Sequence, residues 1–141
     1  MLIFFCSRCF FVSLKSKGIN AERDLVHRFW EIGWACVRVA GSGSSKYPSP
    51  DLLAGNNVRK FAIETKTTSS TIQYFTKKEI EELKFFSDCF GAESWVAIKF
   101  KGSKWVFLGL EDLMETGKAF SASKALCERR GLSFEELTQG F

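Results

Sequence analysis

Two periods alternate along the chain. After Asn20, which fits an N-cap, apolar side chains recur at helical spacing, with Leu25, Val26, Phe29 and Trp30 on one face. Gly33 supplies the stop. Trp34 to Val39 is a short apolar strand with Arg38 near its end. Leu52-Leu53-Ala54 and Phe61 to Lys66 are two more strands, and the Gly55-Asn56-Asn57 turn signal between them makes a β-hairpin. Thr76-Lys77-Lys78-Glu79 is a capping box opening a helix to about Phe90, with Ile80, Leu83, Phe86 and Phe90 at helical spacing and Phe85 beside them; Gly91 ends it. Trp95–Phe100 and Lys104–Leu108 form a second hairpin around Lys101-Gly102-Ser103, Glu111–Met114 one helical turn, and Ser133-Phe134-Glu135-Glu136 the cap of a short last helix. Residues 67–71 and most of 116–130 read as loop.

Two positions break the pattern in a way that carries chemistry. Glu22 falls on the apolar face of the first helix, three and four residues before Leu25 and Val26. A carboxylate there needs a partner: either the positive end of the helix dipole stabilises it, or it joins a set of metal-binding carboxylates. The second position is the hairpin. Strand alternation points Phe61, Ile63 and Thr65 one way and Ala62, Glu64 and Lys66 the other. Folding about the turn brings Asp51 within a residue or two of facing Glu64. Two carboxylates and a lysine at one end of a small sheet suit a hard divalent cation, which takes oxygen ligands and substrate phosphate and activates water for phosphodiester attack. A lysine beside them orients that water or offsets charge in the transition state. The plainer alternative is a surface hairpin with a Glu/Lys ladder, of little stabilising value.

Length and composition narrow the class. With 141 residues, 45% hydrophobic and 15% aromatic, the chain suits one globular domain with one core. A net charge of +4 is compatible with nucleic acid without being diagnostic. Five cysteines without a regular framework suggest a reducing, cytoplasmic setting; Cys6-x-x-Cys9 resembles half a zinc site but lacks a second pair. The apolar run before Lys15 is too short to span a bilayer and lacks signal-peptide flanks, so no membrane role is expected and residues 1–16 read as an extension. Gly41-Ser42-Gly43-Ser44-Ser45-Lys46 is either a loop that follows a phosphate backbone, with Lys46 as a DNA contact, or a solvated connector.

The order of helix with Glu22, strand, loop, Pro50-Asp51, hairpin, Glu64-Thr65-Lys66, helix and hairpin resembles the restriction-endonuclease-like nucleases, whose hallmark is Pro-Asp followed at a distance by Asp/Glu-x-Lys. Lys17-Gly18-Ile19-Asn20-Ala21-Glu22-Arg23, Val37 to Ser42, Asp51 to Gly55 and Ile63 to Lys66 are similar to the archaeal Holliday junction resolvases, from about Lys17 to Phe107 and more weakly beyond. The resemblance implies an α/β fold with a small mixed central sheet flanked by helices, forming one nuclease domain over residues 17–141. It implies metal ligands at Glu22, Asp51 and Glu64, with Glu22 touching the ion or acting through a neighbour. It further implies a catalytic Lys66, Arg23 and Arg38 at DNA or supporting the site, and a serine implicated in cutting at Ser42, or at Ser44 or Ser45. The implied activity is Mg2+-dependent (or Mn2+-dependent) structure-selective cutting of four-way junctions, with repair-type or restriction-type cutting of linear or damaged duplex, or DNA binding without catalysis, as alternatives. A homodimer touching through Phe86 and Phe90 follows from the same resemblance.

Overall fold

The structure, a computed structural model, describes residues 14–41 and 46–139. The Cys6/Cys9 pair, the apolar run up to Ser13, and Ser42, Ser44 and Ser45 lie outside the described residues. The elements are α1 (Leu14–Glu31), β1 (Ala35–Arg38), β2 (Leu52–Gly55), β3 (Lys60–Thr68), β4 (Ile72–Thr76), α2 (Lys77–Phe90), β5 (Glu93–Phe100), β6 (Val106–Gly109), a 3-10 turn at Leu110–Asp112, β7 (Met114–Glu115), β8 (Ala119–Ser123), α3 (Lys124–Arg130) and α4 (Phe134–Gln139). Among the described residues no helix is long and apolar enough to cross a membrane.

A five-stranded mixed sheet, in the order β1-β2-β3-β5-β6, forms the centre. Its β3–β5 pair is parallel and its other pairs are antiparallel. The β2–β3 hairpin closes as the Gly-Asn-Asn signal requires: Asn56 N–H donates to the Arg59 carbonyl at 3.0 Å, and Asn56 Oδ1 accepts from the Val58 and Arg59 amides. Arg59 pins this turn to the far end of the chain. It pairs bidentately with Glu93 at 2.8 Å, donates to the Leu137 carbonyl, and lies 4.7 Å over the Phe61 ring.

Alternation along β3 sends side chains into two cores. On one face Phe61 and Ile63 pack with Leu25 and Phe29 of α1 and Phe134 and Leu137 of α4; on the other Ala62 packs with Val96 and Ile98 of β5 and Ile80 and Leu83 of α2. Each such fully buried aliphatic or aromatic side chain stabilises the fold by about 1.5–3 kcal/mol.

Several expectations need correcting. Helix α1 starts at Leu14, so Asn20 is an exposed interior residue and not a cap. A single Gly18 does not break it: glycine costs only about 1 kcal/mol relative to alanine inside a helix. Glu22 therefore stands in the third turn, beyond the reach of the terminal dipole. Thr67 and Thr68 continue β3, and a further strand, β4, follows. Residues 116–130 are not loop. They hold β8, which pairs with β4 in a separate three-stranded sheet through Phe75 opposite Phe120, and α3, capped by the Ser123 hydroxyl. The inner face of α2 is Ile80, Leu83 and Ser87, leaving Phe86 half-buried and Phe90 exposed. The capping boxes at Thr76 and Ser133 form as expected, and Gly91 closes α2 at φ +77°, a conformation that favours glycine.

Candidate active site

Asp51 directly precedes β2, and its amide donates to the Ile63 carbonyl at 3.0 Å. Leu52 pairs with Ile63, so the antiparallel register continued by one residue places Asp51 opposite Glu64. The side chain of Asp51 is held by the next residue of β3: Oδ2 accepts from the Thr65 amide at 2.9 Å and lies 3.2 Å from the Thr65 hydroxyl. The hydroxyl also lies 3.3 Å from Glu22 Oε1. Thr65 points to the α1 side of the sheet, while its neighbours Glu64 and Lys66 point to the α2 side, so one threonine joins the two faces.

Glu22 finds its partner across the α1–sheet boundary. Arg38 Nε of β1 donates to Glu22 Oε2 at 2.8 Å, with the Glu22 side chain only 17% exposed. Lys66 reaches the N-terminus of α2 and donates to Glu79 Oε1 at 2.8 Å.

The electrostatics follow from this crowding. Burial, then the negative charge of Asp51 beside it, pushes the Glu64 carboxyl up to about 8, against a smaller opposing pull from Lys66. Burial pulls the Lys66 ammonium down, but the hydrogen bond to Glu79 and the charges of Glu79, Glu64 and Asp51 outweigh it and hold the group above the ordinary lysine value. Burial also disfavours the charge on Glu79, yet its bonds to Lys66 and to the Thr76 backbone keep it below the ordinary glutamate range.

A carboxyl kept neutral by burial and by the carboxylate beside it marks a place that favours a cation. Asp51 and Glu64 offer oxygen donors only, and Mg2+ commonly takes one or two carboxylates with waters and phosphate completing its shell. The pair fits such a cation. Among the described residues no three His, Cys, Asp or Glu side chains stand close enough together to hold a metal. Glu22 is accordingly set apart from the Asp51–Glu64 pair, with the Thr65 hydroxyl between.

Of the other positions named from the sequence, Arg23 is exposed on α1, and Lys46 lies 5.8 Å over the Tyr47 ring. Phe86 and Phe90 stack at 5.4 Å along the outer flank of α2, where Phe85 is 61% and Phe90 48% exposed. Burial pushes the thiols of Cys36 and Cys127 up to about 12 and about 11, leaving both inert.

The sequence did not single out Thr65 or Glu79. Thr65 is visible in hindsight as the middle of Glu-x-Lys, pointing away from its neighbours. Glu79 announces itself only as a capping-box residue, and its contact with Lys66 depends on how α2 seats against β3.

A sequence profile for the family described as archaeal Holliday junction resolvase matches residues 13–141. The chain is 42% identical over 113 residues to the crossover junction endodeoxyribonuclease Hjc of Archaeoglobus fulgidus, covering 80% of this chain and 83% of that one. It is 36% identical over 104 residues to the Methanocaldococcus jannaschii protein of the same name, covering 74% of each. The solved structure of Archaeoglobus fulgidus Hjc, a Holliday junction resolvase, superposes with a TM-score of 0.81 at 38% identity over 86% of this chain and 98% of that one. A bacterial homing endonuclease superposes with a TM-score of 0.52 at 12% identity over 80% of this chain and 77% of that one, a likeness of fold alone.

Proposed function

The chain belongs to the archaeal Holliday junction resolvase family, with a restriction-endonuclease-like fold, and on that premise we propose how its residues cut DNA. The protein is a structure-selective endodeoxyribonuclease that resolves four-way junctions, and it requires a divalent metal. The observation that carries the site assignment is the Asp51–Glu64 carboxyl pair with Lys66 beside it, where β2 begins opposite the middle of β3.

Asp51 and Glu64 would hold the cation, Mg2+ or Mn2+ in its place. When bound, such an ion supplies an activated water and neutralises charge at the phosphodiester. The chain's own residues do the rest. Thr65 fixes the Asp51 carboxylate through its amide and hydroxyl, so one oxygen of Asp51 is oriented before any ion arrives. Lys66 brings positive charge alongside the carboxyl pair, where it assists the attacking water or the phosphorane-like transition state. Glu22, held by Arg38, would support the cation through the Thr65 hydroxyl or as a further ligand. Arg23, Arg38 and Lys46 face the DNA backbone, and Ser42 or a neighbouring serine of the same loop takes part in cutting. Products carry 5′-phosphate and 3′-hydroxyl ends.

A two-fold homodimer suits a four-way junction, because the substrate presents related strands for paired cuts. The exposed Phe85 and Phe90 and the stacked Phe86–Phe90 pair support α2 as its contact. The protein works in the cytoplasm with its DNA.

The deciding assay compares cleavage of a four-way junction with cleavage of its linear duplex arms, with Mg2+ and with chelator. The expected result is metal-dependent, paired cutting of the junction alone. Equal cutting of both DNAs would leave a nuclease and remove the resolvase, and binding without any metal-dependent turnover would remove the enzyme.

A further inference from the structure

We propose that Glu79 is the positioning residue for Lys66, its carboxylate held by the bond it accepts from the Thr76 amide at the start of α2. The inference rests on the catalytic reading of Lys66 given above.

Both oxygens of Glu79 are committed. Oε2 accepts from the Thr76 amide at 2.8 Å, closing the capping box, while the Glu79 amide donates to the Thr76 hydroxyl at 3.1 Å. With one oxygen tied to the helix start, the carboxylate plane cannot turn freely, and Oε1 is left to accept from Lys66 Nζ at 2.8 Å. The pair is sheltered, with 27% and 32% of the two side chains exposed.

The charge distribution explains the need. A lysine ammonium is a compact charge on a long flexible stem. The other acidic groups that bear on its charge are Asp51 and Glu64. Without a separate counter-ion Lys66 would fold onto those carboxylates and occupy the place a cation needs. Glu79 gives it an anchor on the helix side, next to the carboxyl pair and off it. The Thr76 amide belongs to the backbone at the start of α2, so it is a rigid support for such an anchor.

Capping and positioning can be separated experimentally. Glu79→Gln keeps a carbonyl oxygen for the Thr76 amide, because glutamine serves in a capping box, but turns a neutral amide toward the ammonium. Thr76→Ala does the reverse: it removes the capping hydroxyl and leaves both the Thr76 amide and the Glu79–Lys66 contact. The measurements are thermal melting, junction affinity in Ca2+, and single-turnover cleavage in Mg2+, on the two variants, Lys66→Ala, and the Lys66→Ala/Glu79→Gln double variant.

Glu79→Gln should melt near the unmutated protein and bind the junction within about two-fold, while cutting about ten-fold or more slowly. Thr76→Ala should melt lower yet cut within about two-fold of normal at a temperature where it is folded. The double variant should be no slower than Lys66→Ala, because a residue acting only through Lys66 has nothing left to position. Normal cutting by Glu79→Gln, or a double variant slower than Lys66→Ala by the full Glu79→Gln factor, would overturn the inference and leave the nuclease site standing. Normal cutting by Lys66→Ala would instead overturn the role of the lysine itself.

Discussion

Replacing Glu64 by glutamine removes an ionisable group from a place that disfavours its charge, so the metal-free variant should be more stable than the unmutated protein at alkaline pH. The folded carboxyl titrates at about 8 against a reference of 4.5, because it is buried and sits beside Asp51. Between those values the folded protein holds a proton that the unfolded chain has released, so stability falls as pH rises through the window. Below it the carboxyl is neutral in both states and glutamine is a near copy; above it the full cost of the buried charge is present. At about 1.4 kcal/mol per unit, the interval from 4.5 to about 8 sets a ceiling near about 5 kcal/mol. Glu64 is only half-buried by surface exposure, and water at the rim of the site brings the expected effect to about 2–3 kcal/mol. For a domain of this length that is roughly 6–12 °C in Tm. The assay is a series of melts of both proteins in chelator from about pH 5 to about pH 8.5, across the window in which the two states bind different numbers of protons. The two should melt together at the acid end and separate toward the alkaline end, with Mg2+ restoring the unmutated protein and leaving the variant unchanged. Curves that stay parallel at every pH would refute the raised Glu64 carboxyl, and with it the crowding against Asp51 on which the reading of the pair as a cation site rests.

Glu64→Gln should also retain junction binding in a gel-shift assay while its single-turnover cleavage falls by orders of magnitude; near-normal cutting would remove Glu64 from the catalytic set. Arg38 engages Glu22 through Nε, which leaves the outer nitrogens of its fork for phosphate. Arg38→Ala should therefore reduce the salt slope of junction binding by about one unit as well as slow cutting, and an unchanged slope would restrict Arg38 to supporting Glu22. Phe90 is 48% exposed, so Phe90→Glu should preserve the fold and give a monomer by sedimentation at micromolar concentration; an unaltered dimer would place the contact elsewhere.

The two carboxyls of the hairpin were legible because their meeting is local. Asp51 and Glu64 are separated by one short turn, the Gly-Asn-Asn signal fixes where the chain reverses, and strand alternation then dictates which side chains share a face. The capping boxes and the Gly91 stop were legible for the same reason, since their partners lie within one helical turn. Glu22 showed itself only as an anomaly on an apolar face. Its partner, Arg38, lies across the packing of α1 on the sheet, and the true start of α1 removed the helix-dipole explanation. Strand β8 carried too short an apolar pattern to declare itself, and became a strand because Phe120 and Ala122 have Phe75 and Gln73 to pair with. The ion pair of Lys66 with Glu79 is the clearest case of what tertiary structure decided. Both residues are plain in the sequence, but their 2.8 Å contact exists only because β4 carries the chain back and delivers the first turn of α2 to the end of β3. Periodicity fixes which way a side chain points within its own element, whereas contacts between elements depend on packing angles and crossover lengths that no local pattern encodes.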